Sequence, residues 1–360
     1  MRTLFCSEER PGVDATVTLL PEADLLDLLA QSQRQEIGPL FARELMTTLS
    51  LPEGARHAAR RIYEENLARN LYLRDETRRW VERLRRAGIP CRVLKGVPLS
   101  PLLYDDLGAR PSVDIDLLVH PEDRTAALAL ARESGFDRVF REGASPDPDV
   151  YAAHIEFGGG GAPYDLDIHW FVEGPRLVPL DHAPFWKPPL RGRDDPLAPS
   201  LVGLVLCLHL WRHAVTLKTL LDFAAFVNRF DDDVPEIRWR LRDAGAEDGL
   251  DLALILAERV LGVRSRFMPE RHPKKIFLPW LDRCLRTPFA ERGRYFKWLV
   301  FPLQLDGWAR PVGRCVAHLV RPSARDGRLH LGSRAARLAR VARRAVFSAR
   351  RSGAGREDVR

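Results

Sequence analysis

Two apolar segments, SVDIDLLVH at 112–120 and PYDLDIHWFV at 163–172, carry acids at alternate positions. Their Val, Ile and Leu content predicts buried strands. Asp is depleted in strands, and residues i and i+2 point to one face. Asp114 and Asp116 therefore stand side by side on the first strand. On the second, Asp165, Asp167 and His169 share one face, and Leu166, Ile168 and Trp170 share the other. Carboxylates this close repel, more strongly where water is scarce. Three arrangements relieve the repulsion: solvation, pairing with Lys or Arg, or a divalent cation. Apolar flanks on both faces argue against solvation. Magnesium is held by a few carboxylates plus substrate phosphates, and two such ions can clamp an in-line phosphoryl displacement. Such a site usually needs a third carboxylate from a neighbouring strand, and the second segment, with Asp165 and Asp167, offers one.

The segments around these strands set the architecture. Residues 20 to 88 mix charge and apolar residues at helical spacing, and Gly88 with Ile89-Pro90 ends the helical stretch. CRVLKG (91–96) reads as a short strand ending at a glycine, and VPLSPLLY (97–104) as a short helix or turn. A helix opens at Pro121 and stops at Gly135, and FDRVF (136–140) is a further strand. VYAAHIEF and PYDLDIHWFV flank GGGGA (158–162) as a hairpin. Residues 176–199, rich in Pro, Arg and Asp, read as a surface loop, and a second helical region starts at Pro199. The expected fold is α+β: a small mixed sheet flanked by helical segments. The expected division is an N-terminal helical region (1–88), an α/β core (89–175), a helical domain packing on it (176–270) and a C-terminal extension (271–360).

Lys95-Gly96 at the end of the first strand, and Arg110 ahead of the acidic one, complete a constellation. A glycine lets backbone approach phosphates closely, and cations hold a triphosphate. The segments VLKGVPLSPLLYDD, ARPSVDIDLLV, GF, LDIHW, LCLHLWRH and LLDFAAF together resemble the uncharacterised bacterial nucleotidyltransferase family of the DNA polymerase β-like superfamily. The resemblance spans roughly residues 20 to 265 and is strongest from 91 to 222. It implies a magnesium- or manganese-dependent enzyme that moves a nucleoside monophosphate from an NTP to an acceptor and releases pyrophosphate. It implies that Asp114 and Asp116 bind both metals and that Asp167 completes the site nearer the nucleophile. Lys95, Gly96 and Arg110 would then hold the NTP, with Gly96 in the phosphate-facing loop. Where the superfamily usually has Gly-Ser, this chain has Gly96-Val97, so that serine hydroxyl is missing. Two rival readings remain: a non-catalytic nucleotide-binding scaffold on the same fold, and an RNA-directed transferase.

His209 and His213 are four apart on a helix, but Leu210 stands where a zinc protease has Glu, so packing histidines are expected. Asp222, an acid in LLDFAAF, reads equally as a buried partner of a cleft cation or as an ordinary salt-bridge residue. His154 and His169 are alternatives for a supporting role. The five cysteines are scattered without a CxxC, which suits reduced thiols in the cytosol. No apolar run has the length of a signal peptide core at the start or of a membrane span elsewhere. Net charge is +7, yet residues 311–360 hold thirteen Arg against three acids, a charge of +10 that leaves −3 for residues 1–310. The basic character belongs to the tail, where SRAARLARVARRAVFSARR (333–351) reads as a solvated segment with a weak alanine-rich face. A slightly acidic body favours a small-molecule, peptide or protein hydroxyl as acceptor over RNA.

Overall fold

A computed structural model describes residues 20–47, 51–138, 154–158, 163–173, 178–187, 197–212 and 215–270, with isolated positions from 278 to 306. The Arg-rich tail, His213, the glycines at 159–161, and Cys6, Cys284 and Cys315 lie outside the described residues.

The described residues begin with α1 (Glu22–Arg34), α2 (Gly38–Met46) and the 34-residue α3 (Glu53–Arg86). The apolar face of α3 is continuous, but it serves two cores. Ala55, Ala59 and Ile62 pack with Leu25, Leu29 and Leu45 of the first two helices. Further along, Leu73, Trp80 and Leu84 pack against the sheet. One helix thus ties the N-terminal segment to the strands.

Among the described residues the sheet has five strands: β1 (Cys91–Val93), β2 (Asp114–Val119), β3 (Asp137–Arg138), β4 (His154–Gly158) and β5 (Asp165–His169), in the order β1-β2-β5-β4-β3. It is mixed. β2 and β5 run parallel, and the other neighbours are antiparallel. Between the strands lie the short α4 (Leu99–Tyr104) and α5 (Arg124–Glu133). Alternation divides the sheet cleanly. Ile115, Leu117 and Val119 of β2, with Leu166 and Ile168 of β5, pack under α3 and α5. The acids take the other face, where Leu118 joins the larger core of the C-terminal helices.

Those helices are α6 (Pro199–Arg212), α7 (Leu217–Phe230), α8 (Val234–Asp243) and α9 (Glu247–Leu256), the last running into a π turn at Ala257–Leu261. α6 is apolar all round and nearly all buried, as a central helix must be. The Thr216 and Thr219 side chains cap the start of α7 reciprocally. Two sequence expectations need correction. Residues 178–187 are not simply a surface loop, because Val178, Leu180 and Phe185 are buried in the helical core. α8 was not expected, although Val234, Ile237 and Leu241 already have helical spacing.

Gly203 sets how closely these helices approach. A Cβ at this position would overlap the Ile237 side chain and the Phe226 ring, both fully buried. Gly203→Val is expected to cost about 3 kcal/mol, the upper range for overpacking, despite the better helix propensity of valine over glycine. A urea midpoint unchanged from wild type would show that α6 can move away freely.

Candidate active site

The parallel register aligns Asp114 with Asp165, Asp116 with Asp167, and Leu118 with His169. Period-two alternation and this register place the acids of two strands in a double row on one face. Depth grades the row. Asp165 is exposed and Asp114 half-buried, whereas Asp116, Asp167 and His169 are buried. Asp116, Asp167 and His169 each offer a ligand atom, and these atoms lie within 4.8 Å of one another. The expected trio was Asp114, Asp116 and Asp167. The close cluster instead has His169 at its third corner, with Asp114 beside it toward solvent.

The repulsion that opened the problem is relieved from within the chain. Lys95, just after β1, forms an ion pair with Asp116 Oδ1 and lies 3.8 Å from Asp114 Oδ2. Its side chain is 12% exposed. Burial alone would lower the lysine pKa, but Asp116, Asp114 and Asp167 together raise it, so the ammonium stays charged. His169 Nε2 lies 2.9 Å from the same Asp116 Oδ1. Burial first, then Lys95 and Arg212, hold the imidazole pKa well below 6.5. His169 is therefore neutral near pH 7, and its Nε2–H donates to the carboxylate.

Asp116 Oδ2 is buried and has no hydrogen-bond partner among the described residues. A buried carboxylate oxygen in that state has unused acceptor capacity, which a cation would satisfy. The carboxylate oxygens of Asp116 and Asp167, with Asp114 beside them, suit a hard dication such as magnesium or manganese. The donor set thus fits the metal that the sequence implies.

A second buried assembly supports the first. Arg110 is 5% exposed and Asp222 is 1% exposed. Arg110 Nε donates to Asp222 Oδ2 at 2.9 Å, and Tyr104 OH donates to Asp222 Oδ1 at 2.9 Å. Another Arg110 nitrogen donates to the Gly96 carbonyl at 3.3 Å and to Ser112 Oγ at 3.2 Å. Arg110 thus pins the Gly96 turn, which needs glycine because its φ is +87°. A Cβ there would come 3.4 Å from the Asp114 carbonyl, so the turn abuts the acidic strand. Asp222 is the buried partner of a cation, one of the two roles the sequence left open.

Sequence reasoning missed Asn66 and Asn70. Both donate to the Arg110 carbonyl, and they also reach the carbonyls of Gly108 and Leu107. They anchor the segment before β2 onto α3. The signal was present: two Asn four apart on a helix face otherwise carrying Ile62, Leu73 and Trp80. His209 is half-buried on α6, and His154 sits opposite His169 in the strand register. Burial raises the thiol pKa of Cys91 to about 11 and raises that of Cys207 further, which disfavours thiolate chemistry. Among the described residues no helix is long and apolar enough to cross a membrane.

No curated protein matches the chain. A family model described as "Uncharacterised nucleotidyltransferase" matches residues 21–262, the span that contains α1–α9, the sheet and every site residue above. The chain belongs to this nucleotidyltransferase family.

Proposed function

We propose that the protein is a metal-dependent nucleotidyltransferase that transfers a nucleoside monophosphate from an NTP to a hydroxyl acceptor. The observation that carries this reading is the buried group of Asp116, Asp167 and His169, built by two parallel strands in a chain of a nucleotidyltransferase family. In the reaction, the acceptor oxygen attacks the α-phosphorus, the bond to the bridging oxygen breaks, and pyrophosphate leaves. Asp116 and Asp167 would hold magnesium or manganese, with Asp114 as a further ligand on the open side. The bound cation supplies stabilisation of the charge on the phosphoryl oxygens.

The chain's own groups do the rest. Lys95 keeps the strand acids neutralised, and its ammonium beside the Gly96 turn provides charge for a phosphate oxygen. Arg110 holds the turn in shape through the Gly96 carbonyl, so its part in NTP binding is to position that turn. His169 fixes the orientation of the Asp116 carboxylate. With Val97 at the usual serine position, backbone and Lys95 take over the contact that a hydroxyl makes elsewhere in the superfamily.

A small molecule or a peptide or protein hydroxyl is the favoured acceptor, because positive charge is concentrated in the last 50 residues and not in the body. Pyrophosphate release from a panel of NTPs with magnesium or manganese, in the presence of cell extract, tests the reading. No release with any NTP would favour the scaffold alternative, which the neutralising role of Lys95 also accommodates. Deleting residues 330–360 is expected to leave transfer to a small acceptor intact. An RNA acceptor held by the tail would instead give binding that falls steeply with salt and disappears on deletion. Affinity for structured RNA across a salt series, full-length against truncated, separates the two.

A further inference from the structure

His182 is a half-buried ring on the stretch between β5 and α6, and both of its nitrogens are engaged. Val172, just beyond β5, donates its backbone N–H to His182 Nε2 at 3.1 Å. An acceptor at Nε2 puts the ring proton on Nδ1, which is hydrogen-bonded to the Leu180 backbone. The ring stands edge-on to Phe171, with centroids 5.2 Å apart, and lies 6.0 Å from Phe185. Val172 is buried, so its N–H depends on this acceptor.

The contact joins two parts of the fold. On one side is the end of the strand that carries Asp167 and His169. On the other is the stretch 178–187, whose Val178, Leu180 and Phe185 enter the helical core. The far end of that stretch is held separately. Arg92 of β1 donates to the carbonyls of Phe185 and Lys187, and Trp186 stacks on His120 with ring centroids 3.6 Å apart. At the near end, the tie to β5 is the hydrogen bond between Val172 and His182.

That tie exists in one protonation state. Neutral imidazole offers a lone pair at Nε2, whereas imidazolium has an N–H at both nitrogens, so two donors would face each other. Burial, the largest influence, disfavours the charged ring, while the Leu180 backbone and the Asp181 carboxylate favour it. The balance holds the pKa below 6.5, so the ring is neutral near pH 7. The surrounding elements also bring Arg92 on β1, His120 after β2, Glu173 beyond β5 and Lys187 on the stretch itself. Among the described residues, Asp181 is the charged side chain that acts on the ring.

We propose that His182 is an acid-released latch: its neutral ring clamps the end of β5 to the stretch 178–187, and protonation frees that end while Arg92 and the core contacts keep the far end in place. The sign follows from proton linkage. The ring takes up a proton more readily when the segment is open than when it is latched. The latch is therefore at full strength above pH 6.5 and weakens as the pH falls below it. This holds whatever reaction the acid row carries out.

Hydrogen exchange over residues 170–187 of the full-length protein, followed by mass spectrometry from about pH 7.5 to about pH 5 and corrected for intrinsic exchange rates, tests the latch. In wild type, protection is expected to fall below pH 6.5, by at most about tenfold per pH unit until the latched ring itself titrates. α6 should keep its protection, because the opening is local. His182→Gln places an acceptor oxygen where Nε2 was and does not titrate, so its segment should stay protected across the range. His182→Phe keeps a ring but has no acceptor, so its segment should exchange fast at every pH. His169, whose pKa is also held below 6.5, is present in all three proteins, and the difference between wild type and His182→Gln isolates the latch. A pH profile in His182→Gln that matches wild type overturns the proposal. So does protection in wild type that does not change with pH, or a parallel loss in α6, which would mean global acid unfolding. The comparison of 170–187 with α6 needs wild type alone, so it decides the matter even where a variant does not fold.

Discussion

Asp116→Asn is expected to abolish nucleotide transfer and also to destabilise the metal-free protein, whereas Asp114→Asn should impair transfer with little effect on stability. Repulsion between two acids on one strand, taken alone, predicts a gain in stability when either is neutralised. Lys95 reverses the sign for Asp116. That carboxylate is fully buried, and it is the close partner of both the Lys95 ammonium and His169. Neutralising it leaves a largely buried ammonium without its main counterion, a change that typically costs about 3–5 kcal/mol. Asp114 is 32% exposed and lies 3.8 Å from the same ammonium. A part-exposed pair at that distance is worth roughly 0–1 kcal/mol. Lys95→Met in the Asp116→Asn background should recover much of the lost stability, since no charge is then stranded. Transfer should drop at least about 10³-fold in Asp116→Asn, from loss of several kcal/mol of charge stabilisation in the transition state. Urea midpoints without metal and pyrophosphate release with it provide the two readouts. Equal stability losses for the two variants would show that Lys95 does not discriminate between the acids. Normal turnover in Asp116→Asn would remove it from the chemistry.

The features legible in the sequence are those governed by short-range periodicity. Two-residue alternation placed Asp114 with Asp116, and Asp165 and Asp167 with His169, and the structure keeps both groupings on one sheet face. Whether the two rows would meet depended on pairing across some fifty residues, and no local pattern encodes that β2 and β5 run parallel. For the same reason His154 and His169 could not be ranked. His169 reaches Asp116 because β5 is offset so that it pairs with Leu118. Lys95 was assigned to phosphate, while its contact with Asp116 depends on β1 lying antiparallel beside β2. The misread stretch at 178–187 shows a different limit. Pro and charged residues dominate 176–199 as a whole, but burial is decided by the few apolar side chains that reach the core. Asn66 and Asn70 were legible and overlooked, since polar residues at helical spacing within an apolar face are a signal in themselves.

Arg110→Met should be the most damaging single change away from the acid row, and its partner should rescue it. The guanidinium spans two parts of the fold: Asp222 on α7, and the Gly96 turn with Ser112 ahead of β2. Removing it leaves Asp222, 1% exposed, still accepting from Tyr104 OH but without its counterion. Stranding a buried carboxylate costs about 3–5 kcal/mol, and in a chain of 360 residues each kcal/mol lowers Tm by roughly 1–2 °C. A fall of about 5 °C is therefore expected. Asp222→Leu combined with Arg110→Met replaces the whole pair by apolar groups, and such replacements are often neutral or stabilising. Most of the lost stability should return in the double variant, and the coupling energy of the double-mutant cycle should be large. Activity should not return with it, because the Gly96 carbonyl and Ser112 still lack their donor and the phosphate-facing turn is no longer held. Restored folding with a raised KM for NTP would identify Arg110 as the residue that positions that turn. Restored folding with unchanged kinetics would reduce the pair to a structural strut, and a double variant as unstable as Arg110→Met alone would show that the stranded charge is not the cause of the loss.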